Sequence, residues 1–216
     1  MRAPGLAAPA LGFAVEEMTA LRHAAVPTLC FRLGVDAGGR EVRSLGLNVQ
    51  LRIDATRRRY EPGDEERLQE LFGGRERWGR TLRSLMWASA SLTVPRFSGR
   101  TSVALHVPAT YDFEVVAAKY LNALSSGEVP VELLFSGTLF YQGEDGRLQA
   151  APVSWEQELR TLLPVAVWRE AIESAFPASA WLRLSRDAFD RLWAYRASRA
   201  LPTWEAALDE LLEGRE

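Results

Sequence analysis

Two stretches in the first quarter of the chain alternate strictly between apolar and polar positions. In TLCFRLGVD, Leu29, Phe31, Leu33 and Val35 fall on one side, with Cys30 and Arg32 on the other. In LGLNVQLRI, Leu45, Leu47, Val49, Leu51 and Ile53 oppose Asn48, Gln50 and Arg52. A period of two belongs to an extended chain with one buried and one wet face. The DAGGR between them reads as a turn, so the two runs are expected to form an antiparallel hairpin. Phe13 to Val15 predicts an edge strand, and SLMWASASLTVP and TSVALHVP predict two more around RFSGR. Val131, Leu133 and Phe135 open another strand, which Leu139 and Tyr141 continue and RLQAAPV pairs. Gly137 falls in mid-strand on the apolar side, where a glycine marks a bulge or the close approach of another group.

Other segments break this period. After RRRY, Pro62-Gly63 ends the strand, Asp64 reads as an N-cap, and Leu68, Leu71 and Phe72 give a brief helix stopped by Gly73-Gly74. Tyr111 to Leu124 fits both periods, and its strand neighbours favour a strand. From Trp155 the pattern turns helical through PVAVWREAIESAFP, SRDAFDRLWAYRASR and LPTWEAALDELLEG. Thr203 caps the last helix and Gly214 ends it. The expected architecture is α+β, an antiparallel β-sandwich over residues 11–153 with a short inserted helix. A C-terminal helical subdomain (154–216) is expected to pack on it, and residues 1–10 to form a flexible leader.

Composition narrows the setting. The 216 residues are 47% hydrophobic and 25% charged, enough for one large domain or a domain with an appendage. One cysteine rules out an intrachain disulfide and points to a reducing, cytoplasmic compartment. No apolar run approaches membrane-spanning length, so no membrane is expected as a partner. The net charge of −2 exerts no general pull on nucleic acid. It is unevenly spread, with 16 basic and 11 acidic groups in residues 1–110 (+5) and 10 against 17 in the remainder (−7).

Candidate chemistry is thin. His23, His106 and Cys30 show no metal-ligand spacing, and neither metal nor cofactor is expected. Ser136 in FSGT lacks the flanking glycines and strand-to-helix turn of a nucleophile elbow and reads as a solvent-facing strand residue. No phosphate-binding glycine loop occurs, and no residue is assigned a catalytic role. The binding candidates are Arg57, Arg58, Arg59, Trp78, Arg80, Trp87, Tyr111 and Asp112. Interleaved arginine and tryptophan can stack on bases or clamp phosphates, although Glu61, Asp64, Glu65, Glu66 and Glu76 neutralise much of this cluster. The seven tryptophans read mainly as cement between helices and sheet, Trp78 and Trp87 being the exceptions that could anchor a partner.

The motifs HAAVPTLCFRL, NVQLRIDATRRRY, EERLQELFG, RWGRTLRSLMW, YDFEVVAAKYL, VPVELLFSGTLFY, LPVAVWREAIESAFP and LPTWEAALDELL together resemble a largely actinobacterial family of unknown function. The likeness covers nearly the whole chain. It implies a setting near nickel–iron uptake hydrogenases and their maturation proteins, hence an accessory role with a hydrogenase or maturation component as partner. The expectation is therefore a non-catalytic cytoplasmic interaction protein. The alternatives are an enzyme or small-molecule carrier with a pocket between sandwich and helices, and nucleic-acid binding through the arginine and tryptophan clusters.

Overall fold

In the computed structural model, which describes residues 8–109, 115–143, 146–154, 157–178 and 183–214, one strand organises the sheet. Strand β2 (Thr28–Ile53) runs for 26 residues and carries both alternating stretches. β1 (Gly12–Ala20) and β4 (Phe97–Pro108) flank its first half, and β3 (Leu85–Val94) and β5 (Glu128–Gln142) flank its second. β6 (Leu148–Pro152) and β7 (Glu158–Pro164) pair with β5, and all seven strands are antiparallel to their neighbours.

This corrects the expected hairpin. The DAGGR segment does not reverse the chain; it bends a continuous strand. Gly38 and Gly39 take φ of +61° and +80°, and the pairing slips between Asp36 and Glu41 and again between Val42 and Ser44. Such bulges add twist and curvature without ending the strand. The bend folds the sheet over, so that the inner sides of its two halves meet. Phe13 of β1 stacks on Phe135 of β5 with ring centroids 4.1 Å apart, and Phe31 meets Trp87 edge-on at 6.1 Å. Leu29, Phe31, Leu33, Val35, Leu45, Leu47, Val49, Leu51 and Ile53 are all buried in the resulting sandwich.

An insertion between β2 and β3 holds three short helices, α1 (Pro62–Arg67), α2 (Gln69–Phe72) and α3 (Trp78–Thr81). Helix α4 (Val116–Ala123) replaces the strand favoured for this segment. Helical spacing wins because Ala117, Ala118, Tyr120 and Leu121 can then be buried together. β7 extends the sheet past residue 153, where the helical period was expected to take over, because alternate residues Leu159, Thr161 and Leu163 pair with β5. α5 (Val165–Ala175) follows directly and buries Val165, Trp168 and Ala171.

The chain divides into two compact units, Met1–Ser179 and Ala180–Glu216. In the second, α6 (Arg186–Ser198) and α7 (Trp204–Glu213) form a helical pair. Ser185 and Thr203 cap them, accepting from the amides of Ala188 and Ala206 at 3.2 and 3.1 Å. Among the described residues, no helix is long and apolar enough to cross a membrane.

Candidate functional site

After β2 a single 3-10 turn (Ala55–Arg57) ends at Arg57, and the chain becomes extended again at Arg58. Arg57 and Arg59 are exposed, whereas the side chain of Arg58 is 5% exposed. All three border an open cleft of about 280 Å3, together with Glu61, Gly127 and Glu128. Arg57 is paired with Asp54 at 3.0 Å. Arg58 is committed inward, donating to the carbonyls of Ser126 and Glu128 and lying 3.5 Å from Asp64. With two carboxylates on its own rim, the cleft is nearly neutral, and only Arg59 is left to offer a guanidinium.

Asp64 explains why Arg58 is buried. It is not a helix cap, as its place after Pro62-Gly63 suggested; Glu61 holds that position and Asp64 lies within α1. Its fully buried carboxylate accepts from the Ser125 amide and hydroxyl at 2.9 and 2.8 Å and from Arg67 at 2.9 Å. Burial opposes ionisation, but the two Ser125 hydrogen bonds, then Arg67 and Arg58, outweigh it and hold the carboxyl below the ordinary range. This network ties the insertion to the loop after α4. Beside it, the Tyr60 hydroxyl meets the Ala55 carbonyl at 2.6 Å and the Tyr120 hydroxyl at 2.8 Å, and burial pushes its pKa up to about 12.

The tryptophan candidates belong to packing. Trp78 is buried, donates its indole N–H to the Gly73 carbonyl at 2.9 Å, and meets Tyr60 and Phe72 edge-on at 5.0 and 6.0 Å. With its ring occupied on these sides and Arg75 4.6 Å above it, Trp78 presents no open face to a base. Trp87 is wedged between Phe31 and Trp168. Arg80 is exposed on α3. Tyr111 and Asp112 lie outside the described residues. The structure thus gathers Arg57, Arg58 and Arg59 at one cleft and brings neither Trp78 nor Trp87 to its rim.

Elsewhere the small polar face of the sheet is bare. Gly46 and Gly137 line a shallow groove of about 420 Å3 beside Asn48, Ser91 and Thr138, and the Ser91 hydroxyl bonds the Asn48 amide oxygen at 2.6 Å. Ser136 is exposed there, as its strand parity predicts. Burial raises the pKa of the Cys30 thiol, so at neutral pH it is a thiol. Its register partner on β4 is His106. Among the described residues, no three His, Cys, Asp or Glu side chains converge as metal ligands would.

The surface that sequence reasoning missed lies in the second unit. Between residues 183 and 214, Ala207 is the only buried side chain among the described residues. Phe189 packs on Trp204 at 5.4 Å and Arg196 lies 4.1 Å over the same ring. Trp193 is nonetheless 54% exposed and Leu212 70%, and Leu184, Leu208 and Leu211 are also open. Trp193, read as cement, is therefore the aromatic available to a partner. One signal was present: adjacent Leu211 and Leu212 lie about 100° apart around a helix, too wide to share one narrow stripe.

A family model described as a family of unknown function (DUF6084) matches residues 8–216. The chain belongs to that family. No curated protein matches it. Among solved structures it is similar to a late embryogenesis abundant (LEA) protein, with 12% identity over 71% of this chain and 72% of that one and a TM-score of 0.30. It is similar also to the sporulation control protein Spo0M of Bacillus subtilis, at 10% identity over 74% and 49% of the two chains, with a TM-score of 0.27. Against beta-glucosidase 3B of Thermotoga neapolitana the values are 12% identity, 70% and 17% coverage, and 0.24.

Proposed function

We propose that this protein acts without catalysis, as an accessory protein that binds other proteins through its C-terminal helical unit. One observation carries the reading: α6 and α7 hold Trp193, Leu208, Leu211 and Leu212 open to solvent in a unit whose described residues bury one alanine. Clustered apolar and aromatic side chains in water mark interaction surfaces, and tryptophan is prominent among residues that dominate binding energy. The hydrogenase setting implied by the family resemblance names the first partners to try, a hydrogenase subunit or a maturation protein. The test is affinity capture from native cells using the tagged wild type beside Trp193→Asp and Leu212→Asp. The wild type is expected to retain a defined protein partner that both variants lose at unchanged circular dichroism. Equal recovery by all three proteins, or none by any, sinks the reading.

A further inference from the structure

We infer that the open face of α6 and α7 takes a second copy of this chain, the two pairs of helices forming a two-fold four-helix bundle. The inference rests on the reading of that face as a protein-binding surface and names its occupant.

Stability asks for a cover. Helices of 13 and 10 residues are too short to persist on their own propensity, and such helices draw their stability from burying an apolar side. Among the described residues the contacts between the two helices are few, a Phe189–Trp204 contact, Arg196 over the same ring, the buried Ala207, and an Arg199–Glu210 pair at 3.0 Å. Beside the Phe189–Trp204 contact, Trp193, one turn from Phe189, and Leu208, Leu211 and Leu212, which begin one turn after Trp204, remain exposed.

Charge selects the occupant. From Arg183 to Arg199 there are five arginines and two aspartates, +3, while Thr203 to Gly214 has four acids and no base, −4. Glu205, Asp209 and Glu213 recur every fourth residue along α7 and have no ion-pair partner among the described residues. Arg186 and Arg191, 88% and 77% exposed, hold only an aspartate on their own helix. A two-fold interface is isologous, so whatever α6 offers α7 of the other copy is returned. With the internal Arg199–Glu210 pair set aside, crossing the 183–199 segment with the other copy's α7 sets +2 against −3 twice, whereas α7 against α7 would oppose like charges. The unit thus carries both halves of a complementary pair, and four amphipathic helices with an apolar centre are a stable packing solution.

Sedimentation velocity of the full chain tests this, over roughly 1–200 µM, where a micromolar Kd is readable. The wild type is expected to reach twice the 24.1 kDa chain mass, and Trp193→Asp and Leu212→Asp to remain at one chain mass with unchanged circular dichroism. The sharper arm swaps charge. Arg186→Glu/Arg191→Glu and Glu205→Arg/Asp209→Arg should each self-associate at least about tenfold more weakly, and when mixed they should recover a heterodimer. A wild type monomeric at the highest concentration overturns the inference, as does a Trp193→Asp protein that still doubles or a mixture that fails to pair. If the wild type is monomeric while Trp193→Asp still loses the captured partner, the second copy is wrong and the protein-binding reading stands.

Discussion

Asp64 keeps its charge with no exposed surface because four donors surround it. Its carboxyl titrates below the ordinary 3.8, so the folded state binds that proton less readily than the unfolded chain. The stability this contributes is complete above about 3.8 and is lost as the pH falls through the lower folded value. Asp64→Asn should flatten that acid limb of the stability curve, as read by urea unfolding from pH 6 down to about 2. Asp64→Ala leaves Arg58 buried beside an empty site and should cost about 3–5 kcal/mol at neutral pH. An acid limb identical to the wild type would contradict this role. Nothing around position 64 in the sequence announced it. The partners Ser125 and Arg67 are meaningful only after α4 has brought the loop beside α1, and a local rule could offer only a helix cap.

At the scale of the element, Gly137 was legible and the long strand was not. A glycine on the apolar side of a strand predicts close approach, and a Cβ there would lie 1.9 Å from the Gly46 carbonyl oxygen, at φ +154°. Gly137→Ala must therefore move the β2–β5 pairing itself and should destabilise by about 3 kcal/mol or more. Gly39→Ala meets nothing within 4 Å and pays only for its positive φ, about 1–2 kcal/mol. Chemical denaturation of the two variants checks the order, and equal losses would remove the close-approach reading. β2 itself shows what periodicity omits. Alternation told which side of residues 28–36 and 45–53 is buried, and every apolar position named on that side is dry, although Thr28 and Gly34 on the other side are covered too. It could not tell whether the glycines between them reverse the chain or bend it, because both outcomes keep the same side chains dry.

For the whole molecule, the partners of β2 are scattered along the chain. Its second half waits for β5, which pairs Leu51 with Leu133 and Leu45 with Leu139. Closing such loops before contacts reward them makes folding slow. Refolding of the chain by stopped-flow tryptophan fluorescence should take milliseconds to seconds, and a dominant submillisecond phase would contradict this topology. The same non-locality explains how far the candidate site could be read. The arginine cluster after β2 was legible as a run of charge, but the burial of Arg58 and Trp78 and the openness of Trp193 depend on which surfaces remain once everything else has packed. By itself the sequence determined the alternating and helical periods, the cap at Thr203, the dry sides of β2 and β5 and the special place of Gly137. These follow from forces acting between residues a few positions apart. Tertiary structure alone decided the continuity of β2, the helix at 116–123, the burial of Asp64 with Arg58, and which tryptophan stays in water. Each of those is a competition among distant groups for a limited interior.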